Sequence, residues 1–128
     1  MDLTDTKPEA CVLVVEDEAA LRDLVGMVIE DMGMKVTAVD TAEKGWGKIL
    51  SQVPTLLVTD VITPGSITGW DLAWLAYSTA PDLRVIITSA FSDELNAKLP
   101  PSAVFLAKPW TVEQLYSAIE LQLSKIEY

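Results

Sequence analysis

The stretch VLVVEDEAALRDLV, residues 12–25, combines an apolar run, three adjacent carboxylates and the start of an amphipathic pattern. A short, continuous apolar run is typical of a β-strand that is covered on both faces of a sheet. Glu16, Asp17 and Glu18 follow this run directly. They fit either a solvated turn at the start of a helix or a site that needs negative charge, such as a cation site. The stretch alone leaves both interpretations open.

Apolar strands and amphipathic helices alternate along the rest of the chain. The patterns predict strands over residues 11–15, 34–39, 55–60, 84–89 and 104–107. They predict helices over roughly 21–32, 40–52, 70–79, 92–99 and 112–127. Asp40 with Glu43 resembles a capping box for the second helix, and Thr111 with Gln114 resembles one for the last. This alternation predicts an α/β fold with a doubly wound, five-stranded parallel sheet and helices on both faces.

Composition limits the classes of function. Half of the 128 residues are hydrophobic, which suits one domain over residues 11–127 after a polar tail at 1–10. The net charge of -10 argues against nucleic acid and membrane partners. Histidine is absent, which excludes histidine-based catalysis and most zinc sites, and the single Cys11 excludes an internal disulfide. Without signal-peptide or membrane-spanning patterns, we expect a cytoplasmic protein.

Chemically useful side chains stand at the carboxyl end of four predicted strands. In a parallel sheet these ends meet at one edge, where such folds place their sites. The oxygen-only carboxylates suit Mg²⁺, while a lysine and a hydroxyl would stabilise phosphoryl oxygens on a carboxylate nucleophile. Asp60 is the natural nucleophile in this set. The side chains expected to converge are Glu16, Asp17, Asp60, Ser89 and Lys108.

Four motifs in order, VLVVEDE, LLVTDVITPGSITGWDL, VIITSA and LAKP, resemble the receiver domain of two-component response regulators. The resemblance covers nearly the whole chain and implies the flavodoxin-like strand order 2-1-3-4-5. It also implies a signalling domain rather than an enzyme, in which Asp60 takes a phosphoryl group from a histidine kinase or histidine phosphotransfer protein. The long PGSITG loop resembles the loop of receivers attached to hybrid histidine kinases more than that of typical DNA-binding regulators. The downstream partner stays open.

The resemblance further implies a role for individual residues. Asp17 and Asp60 would hold Mg²⁺ together with the backbone carbonyl of Ile62, and Glu16 would reach the ion through water. Ser89 and Lys108 would bind the phosphoryl oxygens, Phe105 would occupy the aromatic switch position, and the Lys108–Pro109 peptide would be cis. Thr63 departs from the pattern because a bulky apolar residue usually precedes this proline.

Simpler interpretations and rival functions remain at this point. Taken singly, Asp60, Ser89 and Lys108 could merely end strands or form turns, and Phe105 could be a core residue. One rival function is a degenerate receiver that binds partners without phosphorylation. The other is an aspartyl-phosphate phosphatase, but such enzymes place the nucleophile after the first strand, with a second aspartate two residues later. Here position 62 is isoleucine.

Overall fold

Five strands and four helices alternate in the computed structural model, which describes residues 10–90 and 98–126. Their order and bounds are β1 Cys11–Val15, α1 Ala19–Asp31, β2 Lys35–Val39, α2 Ala42–Ser51, β3 Leu56–Asp60, α3 Gly69–Thr79, β4 Arg84–Ser89, β5 Ala103–Ala107 and α4 Val112–Ser124. The helix predicted over residues 92–99 lies largely outside the described residues.

The strands form one parallel sheet in the order β2-β1-β3-β4-β5, which confirms the predicted fold class. All five residues of the central strand β3 are buried, as a strand with neighbours on both sides and helices on both faces requires. The edge strand β2 is mostly exposed or half-buried. The sheet order places the carboxyl ends of β1, β3 and β4 next to one another.

Two hydrophobic clusters cover the two faces of the sheet. Alternate residues of β1 point to opposite faces, so Leu13 and Val15 join one cluster while Val12 and Val14 join the other. The first cluster includes buried residues of α2 and α3, and the second includes buried residues of α1 and α4. The sheet is therefore doubly wound, with two described helices on each face.

The helix starts correct one prediction and confirm another. The predicted Asp40–Glu43 capping box is wrong, because Thr41 is the cap of α2 and its hydroxyl accepts a hydrogen bond from the Lys44 amide at 3.1 Å. Asp40 instead forms an ion pair with the Lys44 amine at 2.8 Å. Glu43 accepts a hydrogen bond from the Ser66 amide, in the loop between β3 and α3. The Thr111 capping box of α4 is confirmed.

The last helix is shorter than predicted. It ends at Ser124 rather than at residue 127, since the Lys125 amide bonds to the Gln122 carbonyl three residues back, which closes the final turn. α3 begins with a capping box between Thr68 and Asp71 that the sequence patterns did not predict. Within the described ranges, no helix is both long and apolar enough to cross a bilayer.

Candidate functional site

Three carboxylates meet where β1 and β3 end. Glu16 directly follows β1, Asp17 comes next, and Asp60 is the last residue of β3. One carboxylate oxygen from each lies within 4.8 Å of the others. Glu16 and Asp60 are buried, at 4% and 8% exposure, whereas Asp17 is exposed. The site is therefore anchored in the sheet and open to solvent on the Asp17 side.

Lys108, which follows β5, brings a positive charge to this cluster. Its Nζ donates to Oδ2 of Asp60 at 3.0 Å and to Oε1 of Glu16 at 3.1 Å. Oδ1 of Asp60 accepts from the Val61 amide at 2.8 Å, and Oε2 of Glu16 accepts from the Glu18 amide at 3.0 Å. Each buried carboxylate thus accepts one hydrogen bond from a nearby backbone amide, and the two share the ammonium group of Lys108.

Burial and mutual repulsion shift the proton affinity of the site. The pKa of Glu16 is raised, first by burial and then by the charge of Asp60, although the Glu18 amide and Lys108 oppose the shift. Burial acts to lower the pKa of Lys108, but its hydrogen bonds and charge interactions with Asp60 and Glu16 raise it overall. The amine stays protonated at neutral pH, and three carboxylates face one ammonium in this cluster. This excess of negative charge favours a bound cation.

Ser89 lies at the same edge, on the strand between β3 and β5. Its side chain is buried, and its backbone carbonyl accepts a hydrogen bond from the Lys108 amide at 2.9 Å. The Lys108–Pro109 peptide is cis, which confirms the prediction. The Trp110 indole then donates to the hydroxyl of Thr88 at 3.2 Å. The segment that carries Lys108 is therefore tied to the end of β4 on both sides of the proline.

The residue types of the cluster fit a hard divalent ion. Carboxylate oxygens are the ligands that Mg²⁺ prefers, and sites with few protein ligands leave room for water. Glu16, Asp17 and Asp60 could hold the ion, and Ile62 lies on the adjoining loop, two residues after Asp60. Burial and the charge of Asp60 raise the pKa of Glu16, and a cation bound at this cluster would oppose both effects.

Phe105 is the middle residue of β5. Its ring stacks on that of Trp70 in α3, with the ring centroids 6.1 Å apart and the planes 11° from parallel. Both side chains are partly buried against the first hydrophobic cluster. The structure therefore places the proposed switch residue between the sheet and α3, a contact that the sequence alone did not predict.

Comparison with known proteins identifies the family. A sequence model described as the response regulator receiver domain matches residues 12–120. The chain belongs to the response regulator receiver domain family. Two similar proteins are the DNA-binding transcriptional regulator NtrC of Azospirillum brasilense and the response regulator receiver protein CpdR of Brucella abortus (strain 2308). The first is 30% identical over 90% of this receiver domain and 24% of NtrC, and the second is 29% identical over 88% of this chain and 95% of CpdR.

Solved receiver structures share the fold. A response regulator receiver protein from Sinorhizobium medicae WSM419 superposes with a TM-score of 0.86 at 26% identity, over 94% of this chain and 98% of that one. The receiver domain of the hybrid histidine kinase CckA superposes with a TM-score of 0.76 at 26% identity, over 89% and 99%. The chain spans 24% of NtrC and nearly all of CpdR, so receivers similar to it occur both within longer proteins and almost alone.

Three supporting contacts of the receiver site were missed in the sequence patterns. Arg22 donates to the carbonyl of Glu16 at 3.0 Å and so braces the loop after β1. Thr63 accepts a hydrogen bond from the Ala42 amide, and Glu43 accepts hydrogen bonds from Ser66 and Ile67. Only Thr63 gave a signal in the sequence, as a polar residue where the family pattern has an apolar one.

Proposed function

We propose that Asp60 is the phosphoacceptor of this receiver and takes its phosphoryl group from a phosphohistidine of a histidine kinase or a histidine phosphotransfer protein. The observation that carries the proposal is the 3.0 Å contact between the Asp60 carboxylate and the Lys108 amine, beside the acidic cluster. The family match supports it, as does the similarity to the sensor kinase CckA of Brucella abortus (strain 2308), which is 30% identical over 95% of this chain and 13% of CckA. The cytoplasm is the proposed compartment.

The proposed transfer is a displacement at phosphorus. One carboxylate oxygen of Asp60 attacks the phosphorus, an O–P bond forms, and the P–N bond to the donor imidazole breaks with its electron pair leaving on nitrogen. Lys108 then stabilises the negative charge of the phosphoryl oxygens, and the Ser89 hydroxyl donates to one of them. The neighbouring carboxylate Glu16 is already hydrogen-bonded to the same lysine, so the amine is positioned before the donor arrives.

We assign Mg²⁺ to Asp17, Asp60 and the Ile62 carbonyl, with Glu16 acting through a water molecule. When bound, the ion would neutralise carboxylate and phosphoryl charge that Lys108 alone does not balance. Asp17 is exposed and Asp60 buried, so the proposed ligands extend from the sheet to the protein surface. Phe105 is the proposed aromatic switch, which responds when Ser89 moves toward the phosphoryl group.

We propose that the protein that donates the phosphoryl group binds in an apolar groove beside Lys108. Residues of α1 and of the segments that follow β4 and β5 line it: Leu21, Leu24, Ala90, Lys108, Pro109 and Trp110. Because it adjoins the amine that faces Asp60, a donor helix packed there would bring its phosphohistidine to the acceptor. Leu24→Asp should slow transfer from a protein donor while leaving phosphorylation by acetyl phosphate unchanged.

Met27→Asp is the matched control for the groove. Met27 is a similarly apolar, 62% exposed residue of α1, and it does not line the groove. Equal slowing by both substitutions would argue against the groove as the docking surface.

Intact-mass measurement with acetyl phosphate and Mg²⁺ tests the acceptor. The wild-type protein should gain one phosphoryl group, and Asp60→Asn should gain none. Asp82→Asn, an exposed aspartate in the turn before β4, should behave like the wild type. Labelling of Asp60→Asn would identify a different acceptor, and an unlabelled wild type would favour the degenerate receiver. Turnover of phosphorylated small molecules would favour the phosphatase.

A further inference from the structure

The loop between β3 and α3, residues 61–68, is fastened to the first turn of α2. We name it the acceptor loop because it directly follows Asp60. The hydroxyl of Thr63 accepts a hydrogen bond from the Ala42 amide at 3.1 Å. Ala42 is the first residue of α2, where backbone amides have no partner inside the helix. The acceptor loop thus supplies a hydrogen-bond partner that the helix itself does not provide.

Glu43, the next residue of α2, holds the far half of the acceptor loop. Its Oε2 accepts from the Ser66 amide at 2.6 Å, from the Ser66 hydroxyl at 3.0 Å and from the Ile67 amide at 3.3 Å. A side chain on Gly65 would collide with this carboxylate, and Gly65 has a φ of 121°, which favours glycine. The glycine at position 65 therefore leaves room for the Glu43 carboxylate beside the loop.

These contacts fix the chain on both sides of Ile62. Before it, the Val61 amide bonds to the Thr88 carbonyl at 3.1 Å, and the Val61 carbonyl accepts from the Gly69 amide at 2.8 Å. After it, Thr63 is buried and bonded to α2, while the Ile62 side chain is 53% exposed. The position of the Ile62 backbone is thus set by its neighbours' hydrogen bonds and not by packing of its own side chain.

We infer that Thr63 and Glu43 are positioning residues that hold the acceptor loop in the conformation in which the Ile62 carbonyl can bind Mg²⁺. The inference rests on the proposed function, which assigns that carbonyl to the metal. Without the two contacts, a loop that contains Pro64, Gly65 and an exposed Ile62 would have to become ordered when the metal binds. That ordering cost would weaken the affinity for the metal, as the loss of outer hydrogen bonds does in other metal sites.

Calorimetric titration with Mg²⁺ tests the Thr63 contact. Thr63→Val keeps the shape but removes the hydroxyl, and it should raise the Mg²⁺ dissociation constant about three- to tenfold, the value of one hydrogen bond. Thr63→Ser should retain near wild-type affinity. Thr55→Val is the matched control, because the Thr55 hydroxyl also accepts a backbone amide hydrogen bond, from Cys11 at 3.3 Å, but does so at the opposite edge of the sheet.

Amide hydrogen exchange of the metal-free protein tests the Glu43 contact independently of metal binding. Glu43→Gln should speed exchange at the Ser66 and Ile67 amides and weaken Mg²⁺ binding, while Glu30→Gln, the same charge change at an exposed position near the end of α1, should do neither. Glu43 is on the surface edge of α2, so this variant decides the matter even if Thr63→Val fails to fold.

The outcomes separate the two proposals. If the wild-type protein binds Mg²⁺ and both variants bind it within twofold of the wild type, the positioning role is wrong and the proposed function stands. If the wild-type protein does not bind Mg²⁺, the metal assignment itself is wrong and the positioning role falls with it.

Discussion

The Lys108 amine lies between the two buried carboxylates of the site, 3.0 Å from Asp60 and 3.1 Å from Glu16. The Lys108 ammonium group therefore pairs with two carboxylates, and a phosphoryl group on Asp60 would compete with Glu16 for it. If Asp60 is the acceptor, as proposed, loss of Lys108 should slow transfer strongly.

Lys108→Gln should slow phosphorylation by acetyl phosphate about 100-fold, the usual effect of losing one preorganised donor to a developing negative charge. Initial rates at saturating Mg²⁺, followed by intact mass, measure the effect. Lys125→Gln, an exposed lysine after α4, should leave the rate unchanged. Equal rates in all three proteins would mean that the amine does not contact the transferred group.

Glu16 should make the metal-free protein less stable as the pH rises. Burial raises its pKa in the folded state above the ordinary value of 4.5, so the folded protein binds the proton more tightly than the unfolded chain. The stability from this residue is complete below 4.5 and is lost as the pH rises through the higher folded-state pKa. Urea unfolding of wild-type and Glu16→Gln proteins across that range should show the loss only in the wild type. Parallel curves would refute the shift.

Two glycines should respond to alanine in opposite directions. A side chain on Gly69 would collide with the backbone carbonyl of Asp60, so Gly69→Ala should lower the free energy of unfolding by about 1–3 kcal/mol. Gly47 lies inside α2, and an added Cβ would meet no other described segment within 4 Å, so Gly47→Ala should raise the free energy of unfolding by about 0.5–1 kcal/mol. Urea denaturation measures both. A neutral Gly69→Ala would show that α3 can shift without loss.

Gln122 should contribute to stability despite being polar and fully buried. Its amide donates to the Val85 carbonyl at 2.6 Å and to the Ser102 carbonyl at 3.0 Å, and its Oε1 accepts from Arg84. Gln122→Leu would remove both of these hydrogen bonds and the acceptor of Arg84, and it should cost about 1–3 kcal/mol. Exposed Gln52→Leu should change stability by less than about 0.5 kcal/mol. Similar midpoints for the two variants would contradict the role of this network.

Phosphorylation should perturb the acceptor loop and the surroundings of Ser89 more than α4. The loop adjoins Asp60 and is anchored to α2, whereas α4 packs on the other face of the sheet with the second cluster. Amide chemical shifts with and without phosphate measure the difference. The largest changes along Val112–Ser124 would instead identify α4 as the signalling surface.

Most of the fold could be predicted from local patterns. β1 and β4 begin and end at the predicted residues, because short apolar runs indicate buried strands. The polar residue Glu16 directly follows β1, and the polar residue Ser89 is the last residue of β4. The predicted capping box of α2 was wrong because Asp40 and Thr41 are both suitable N-cap residues, and their spacing in the sequence does not show which of them caps the helix. The end of α4 was misplaced since apolar spacing continues past the last helical hydrogen bond.

The convergence of the site was also predictable, because parallel strands bring their carboxyl ends to one edge. Glu16, Asp17, Asp60 and Lys108 do lie together there, and Ser89 lies at the same edge. Their roles in phosphoryl transfer stay predictions. The support from Glu43 and Arg22 could not be foreseen, since both bind backbone groups of distant segments and leave no periodic signal in the sequence.

The site also depends on nearly the whole length of the chain. Lys108 is 92 positions from Glu16 and 48 from Asp60, yet one amine touches both. β5 lies beside β4 at one end of the described sheet, so the position of the lysine depends on this last strand being in place. A nascent or truncated chain that ends before β5 would have the acceptor aspartate but not the cation beside it. Such a chain should therefore take up phosphate as slowly as Lys108→Gln, even though its Asp60 is intact.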